Sequence, residues 1–220
     1  MRVRIAETGI GASGPEGEWW NGLVSPDPST TAPTPRPLLL LDVDGPLNPY
    51  HAQPHERPAG HAAHRMTPSW LVRTPGAPAP HVEPVEVLLD PGHGARLLAL
   101  PYELVWATTW LHEANEWIAP RIGLPGLPYV PFPDVRAERP DGTCFKTWDI
   151  VTWATGRPFA WVDDDITAAD RAYVAARHPG PALLHRIHPA KGLRDEDFEL
   201  LAAWAADLTM REGAATDGGA

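Results

Sequence analysis

The chain has 220 residues, enough for one well-buried domain with accessory segments. Its net charge of −10 gives no global attraction to nucleic acid or an anionic membrane, and its one cysteine, Cys144, excludes an intramolecular disulfide and fits a reducing compartment. No run approaches the ~18 apolar residues of a membrane span, and no secretory signal is legible near Met1, so a cytoplasmic location is expected.

Residues 1–36 are rich in Gly, Ser, Thr and Pro with little apolar periodicity, which predicts a disordered leader. Residues 37–210 carry the pattern of a folded domain. Leu38 to Leu41 reads as a strand buried on both faces, of the kind found inside a parallel sheet. It runs straight into Asp42-Val43-Asp44-Gly45-Pro46-Leu47-Asn48-Pro49, two carboxylates one residue apart followed by turn signals. Residues 50–84 form an insert rich in Pro and His. Ser69–Arg73 and Glu83–Leu89 bracket its Pro-rich tip and are expected to pair as a β-hairpin flap.

A short helix is expected over His93–Leu100, and a second buried strand over Glu103–Trp110 with Thr108 and Thr109 near its end. Glu113–Ile118 reads as a helix, Tyr129–Phe132 as a short strand or extended piece, and Phe145–Thr155 as an amphipathic helix with Lys146 near its start. Phe159–Asp165 is a third buried strand ending in Asp163, Asp164 and Asp165. A helix over Thr167–Arg177, a strand over Ala182–Ile187, a closing helix over Asp195–Leu208 and a disordered tail over 211–220 complete the chain. Strands alternating with helices predict an α/β fold, a three-layer doubly wound parallel sheet with a hairpin flap and no large cap.

In a parallel sheet the ends of these strands share one edge, so Asp42/Asp44, Thr108/Thr109 and Asp163/Asp164/Asp165 can converge, with Lys146 in reach. Clustered carboxylates repel unless a cation or proton offsets them, and a hard cation such as Mg²⁺ suits oxygen ligands. Carboxylates, a hydroxyl and a lysine around a cation make a site for a phosphate group.

These elements, in this order, resemble the signature of the haloacid dehalogenase (HAD) superfamily of phosphohydrolases across residues 38 to about 208. The finer pattern of DVDGPLNP, WATTW, FKTW, WVDDD and a late Lys-Gly-Leu is similar to the HAD domain of the Swiss Army Knife RNA repair proteins. The resemblance implies a Rossmannoid, Mg²⁺-dependent phosphatase acting through an aspartyl-phosphate. Asp42 would be the nucleophile, and Asp44 the general acid and then base, its carbonyl also helping to hold Mg²⁺. Thr108 would bind the transferring phosphoryl group and Lys146 would neutralise developing charge. Metal ligands would come from Asp42, Asp44 and Asp164, with Asp163 orienting Lys146 or the metal waters. Asp165 is expected to act as a helix N-cap. Position 46, usually Thr or Val in the superfamily, is Pro here and lacks a backbone N–H.

The expected substrate is a phosphorylated small molecule or nucleic-acid end, without membrane association or strong bulk binding of nucleic acid. The alternative is a weak or inactive module that binds Mg²⁺ and phosphorylated ligands. His51, His55, His61, His64 and His81 match no regular zinc spacing. Trp106, Trp110, Trp117, Trp148, Trp153 and Trp161 flank the motifs, and most are expected in the core, with one or two free to stack on a flat substrate. Arg171, Arg177, Arg186, Lys191 and Arg194 make a locally basic stretch, expected as solvated surface or a rim that guides a polyanion.

Overall fold

The structure, a computed structural model, describes residues 35–72, 83–135 and 139–217. Along the chain these form β1 (Leu38–Leu41), β2 (Ala62–Met66), α1 (Ser69–Val72), β3 (Val85–Leu89), α2 (His93–Ala99), β4 (Glu103–Trp106), α3 (Glu113–Trp117), α4 (Ala119–Ile122), α5 (Thr147–Ala154), β5 (Phe159–Asp163), α6 (Ala168–Arg177), β6 (Ala182–Arg186) and α7 (Asp195–Asp217). The expected leader lies almost wholly outside the described residues.

The fold is α/β, built on a four-stranded parallel sheet in the order β4-β1-β5-β6. β1 is central, with Leu38–Leu41 in register against Glu103–Trp106 on one side and Phe159–Val162 on the other. The four leucines are at most 2 % exposed because both faces of the sheet are covered. Leu39 and Leu41 point into a core shared with Leu97, Ile118, Ile122 and Leu201. Leu38 and Leu40 point the other way, toward Ile150, Ala154 and Val174. The strict alternation follows from the strand period of two, and each buried leucine contributes about 1.5–3 kcal/mol. A charge at Leu40 would therefore be stranded in a dry layer.

Tyr129 extends the sheet by a single parallel bridge to Trp106, where a strand or extended piece was expected. A separate antiparallel pair, β2 with β3, forms the hairpin. Its first strand is Ala62–Met66 rather than Ser69–Arg73. Pro68 breaks the extended run, and Glu113 accepts from both the backbone N–H (2.6 Å) and the hydroxyl (2.7 Å) of Ser69, so Ser69–Val72 winds into a helical turn instead. Arg73 and the Pro-rich tip lie outside the described residues.

The cap of α6 is Thr167, not Asp165. Thr167 and Asp170 form a reciprocal capping box, and Asp165 stays exposed, donating its N–H to Asp163 at 2.8 Å. α7 runs to Asp217, beyond the expected end at Leu208 and through most of the segment read as a tail. No helix among the described residues is long and apolar enough to cross a membrane.

Candidate active site

Hydrogen bonds carry the ladders one residue past β1: Asp42 N–H donates to Val162 (3.0 Å) and Ala107 N–H donates to Leu41 (2.8 Å). The chain ends leaving the sheet are therefore held side by side. Asp42 follows β1, Asp163 closes β5 and Asp164 comes next, Thr108 lies two residues beyond β4, and Lys146 is the N-cap of α5.

Lys146 is the centre of this edge. Its Nζ lies 2.7 Å from Asp42 Oδ2 and 2.7 Å from Asp163 Oδ2, and all three residues are buried. Asp163 is saturated by further bonds, since its Oδ2 also accepts from Trp161 Nε1 at 3.1 Å and its Oδ1 from the Asp165 N–H. Asp42 Oδ1 accepts from the Val43 N–H at 2.7 Å. One oxygen from each of Asp42, Asp163 and Asp164 lies within 4.8 Å of the other two, and this is the single group of metal-ligand type among the described residues. Asp163 already accepts from Lys146, Trp161 and the Asp165 N–H, which leaves Asp42 and Asp164 as the better placed ligands.

Charge is unbalanced here. Asp42 and Asp163 share one lysine ammonium, and Asp44 and Asp164 add two further carboxylates beside them. Burial pushes the Asp42 carboxyl well above its usual range; Lys146 opposes this, while Asp163 and Asp44 add to it. Burial likewise raises Asp164, against the hydrogen bond it accepts from Tyr50. For Lys146 burial favours the neutral form, but Asp163 and Asp42 outweigh it, so the lysine titrates above its ordinary value and stays charged. A hard divalent cation would offset the remaining negative charge, and the all-oxygen donor set fits Mg²⁺.

The 43–48 turn holds Asp44 beside this group. Asn48 and Leu47 donate their N–H groups to Val43, and Gly45 donates to Asn48. No donor is needed at Pro46 for this turn, whose carbonyl instead accepts from Leu193 at 2.8 Å. Gly45 has φ +88°, and a Cβ there would lie 2.6 Å from Asp164 Cγ, so only glycine lets the turn approach the Asp164 side chain.

Three polar partners escape sequence reading. Asn48 Nδ2 donates to Asp44 Oδ1 (2.7 Å) while its Oδ1 accepts from Leu88 N–H (2.9 Å), tying the hairpin to the acid. Trp110 Nε1 donates to Asp44 Oδ2 at 2.9 Å. Tyr50 donates its hydroxyl to Asp164 Oδ2 at 2.9 Å. Only an Asn in a tight turn and an aromatic beside each motif foreshadow them.

Thr108 is buried, its hydroxyl accepting a long 3.4 Å bond from the Trp110 N–H, and Thr109 is exposed. The next turn bends through Leu111, a non-glycine at φ +49°.

The other sequence candidates do not join this centre as ligands. His61 and His93 sit edge to face at 5.5 Å beside a separate cleft of about 390 Å³ that also meets Arg96 and Lys191. No three histidines among the described residues come together, and His81 lies outside them. Trp106 and Trp161 are core, while Trp148 and Trp153 are 38 % exposed. In the basic stretch Arg171 donates to the Leu184 carbonyl, Arg186 to the Asp164 carbonyl at 2.8 Å, and Arg194 pairs with Glu196. No family model, curated protein or solved structure matches the chain.

Proposed function

We propose that the protein is a phosphohydrolase of the haloacid dehalogenase type, acting on a phosphomonoester through an aspartyl-phosphate with Mg²⁺. The observation that carries this reading is Lys146 Nζ at 2.7 Å from both Asp42 and Asp163, with Asp164 adjacent and Asp44 two residues beyond Asp42. Such a spread of carboxylates around one buried lysine suits a substrate that brings negative charge and a cation to offset it.

In the first step an Asp42 carboxylate oxygen attacks phosphorus, the bond from phosphorus to the leaving oxygen breaks, and the Asp44 carboxyl proton passes to that oxygen. In the second, water attacks the acyl-phosphate while Asp44 takes its proton, releasing inorganic phosphate and restoring Asp42. Lys146 spreads the charge on Asp42 and the equatorial oxygens, and Asp163 fixes its direction. Thr108 supplies a hydroxyl at the same edge. Asp42, Asp164 and the Asp44 carbonyl would hold Mg²⁺, which supplies charge neutralisation of the phosphoryl oxygens.

A second reading, a module that binds phosphorylated ligands with little turnover, is favoured by one feature: both Asp44 oxygens already accept bonds, from Asn48 and Trp110. Phosphate release from a panel of phosphometabolites, nucleotides and end-phosphorylated oligonucleotides, with and without Mg²⁺, separates the two. The enzyme reading expects Mg²⁺-dependent release that Asp42→Asn abolishes, and beryllium fluoride trapped on Asp42. Tight Mg²⁺-dependent binding without release overturns it.

A further inference from the structure

We infer that the leaving group of this centre is planar and uncharged, a nucleobase or other aromatic ring on the phosphomonoester, received against the exposed indole of Trp70 where it meets Trp110. The inference rests on the phosphohydrolase reading and names the substrate class for the same site. A cleft of about 370 Å³ opens directly beside Asp44, walled by Tyr50, Trp70, Val85, Glu86 and Trp110. Asp44 is the group assigned to protonate the leaving oxygen, so whatever departs as an alcohol starts its exit in contact with this cleft.

The aromatic wall is built rather than incidental. Trp70 is 47 % exposed, a large indole kept at the surface. It sits on α1, whose first residue, Ser69, is fixed by two bonds to the buried Glu113. Its ring meets Trp110 edge to face, with centroids 5.9 Å apart and planes at 89°. Trp110 is in turn pinned by its N–H on Asp44. Trp110, buried and bonded to the acid, thus sets the position of the exposed Trp70 indole, and a flat ring laid against Trp70 in that corner gains stacking that is indifferent to its exact substituents.

Charge narrows the class. The ionisable side chains lining the cleft are the carboxylates of Asp44 and Glu86 and the Tyr50 phenol, and Glu86 is paired from outside by Arg57. Among the described residues no Lys, Arg or His lines it. A second phosphate or a carboxylate on the leaving group would therefore meet the Asp44 and Glu86 carboxylates of the described lining, which disfavours sugar bisphosphates and nucleoside polyphosphates. The volume lies at the low end for small-molecule sites and suits one ring system with its linker.

The test compares pairs of alkyl phosphomonoesters with and without the ring: adenosine 5′-monophosphate against ribose 5-phosphate, and 2-phenylethyl phosphate against ethyl phosphate. The ratio of kcat/KM within a pair should favour the aromatic member by roughly tenfold or more. Trp70→Ala should bring that ratio toward one, Trp70→Phe should keep most of it, and Trp153→Ala, on a distant exposed face, should leave it unchanged. The nucleotide pair and the phenyl pair distinguish which source of ring the corner accepts. Calorimetric binding of the same four compounds to the Asp42→Asn protein with Mg²⁺ gives a readout free of turnover. Hydrolysis or binding without preference for the ring, or a preference unmoved by Trp70→Ala, overturns the inference. Failure to hydrolyse any compound while the Asp42→Asn protein still prefers the aromatic members would instead overturn the phosphohydrolase reading and leave the aromatic corner standing.

Discussion

Asp170 holds Thr147 at 2.5 Å, and through that bond α6 sets the start of α5. The Asp170 carboxylate is fully buried and divides its oxygens between two jobs. Oδ1 accepts from Thr147 Oγ1 and from the Cys144 N–H (2.7 Å), while Oδ2 accepts from the N–H and hydroxyl of Thr167 (both 2.7 Å). Lys146 lies between Cys144 and Thr147, so this one side chain fixes the backbone from which the lysine reaches Asp42.

Asp170→Ala should therefore destabilise the protein by about 3–5 kcal/mol, since four donors lose a buried charged acceptor at once. Asp165→Ala, at an exposed side chain that caps nothing, should stay within about 0.5 kcal/mol. Urea titration of both variants measures the contrast, and equal losses would show that Asp170 does not organise the α5 start.

For the cation, Asp164→Ala should weaken Mg²⁺ binding far more than Asp165→Ala, because only the Asp164 carboxylate faces Asp42. Calorimetric titration of Mg²⁺ measures this directly. Equal losses at both positions would remove Asp164 from the ligand set.

Asn48→Leu removes both the donor to Asp44 and the acceptor for Leu88. On the phosphohydrolase reading kcat should fall by roughly 10²-fold, with a larger effect on esters with poor leaving groups, because the change acts on proton delivery. A fall in kcat that is the same for good and poor leaving groups would mean that Asn48 does not act through Asp44.

His93 gives a pH signature of folding. Its ring is 2 % exposed, its Nδ1 has no hydrogen-bond partner, and burial brings its pKa down from 6.5 to about 4 against the pull of nearby Asp90. The unfolded chain therefore takes up this proton first. Stability is intact above pH 6.5 and falls as the pH drops toward 4, by roughly 2–3 kcal/mol from this group. His93→Leu should flatten that part of the profile of melting temperature against pH, and an unchanged slope would contradict the assignment.

The sheet was legible because Leu38–Leu41, Leu104–Trp106 and Phe159–Val162 are buried on both faces, and continuous apolar runs flanked by turns are the plainest strand signal. Convergence of Asp42, Lys146 and Asp163 followed from the parallel topology alone. What the sequence concealed was set by tertiary partners. Trp70 and Leu71 look extended in isolation and become helical only because Glu113, forty-four residues away from Ser69, supplies the acceptor. Ala62–Met66 buries only Met66 and is a strand by virtue of pairing with Val85–Leu89. Thr167 outcompetes Asp165 as a cap because Asp170 sits three residues on and returns the bond. The roles of Asn48, Tyr50 and Trp110 depend on side-chain direction across the fold, for which no local pattern exists.

The burial of Lys146 between two carboxylates has a chemical corollary. The chain has two lysines, and the other, Lys191, is exposed. Amine-reactive reagents acting on the folded protein find Lys191 open, whereas Lys146 offers neither a free lone pair nor a path of approach. Modification of Lys146 thus requires the centre to open, and its labelling rate relative to Lys191 is a built-in clock for how often Asp42 and Asp163 let go.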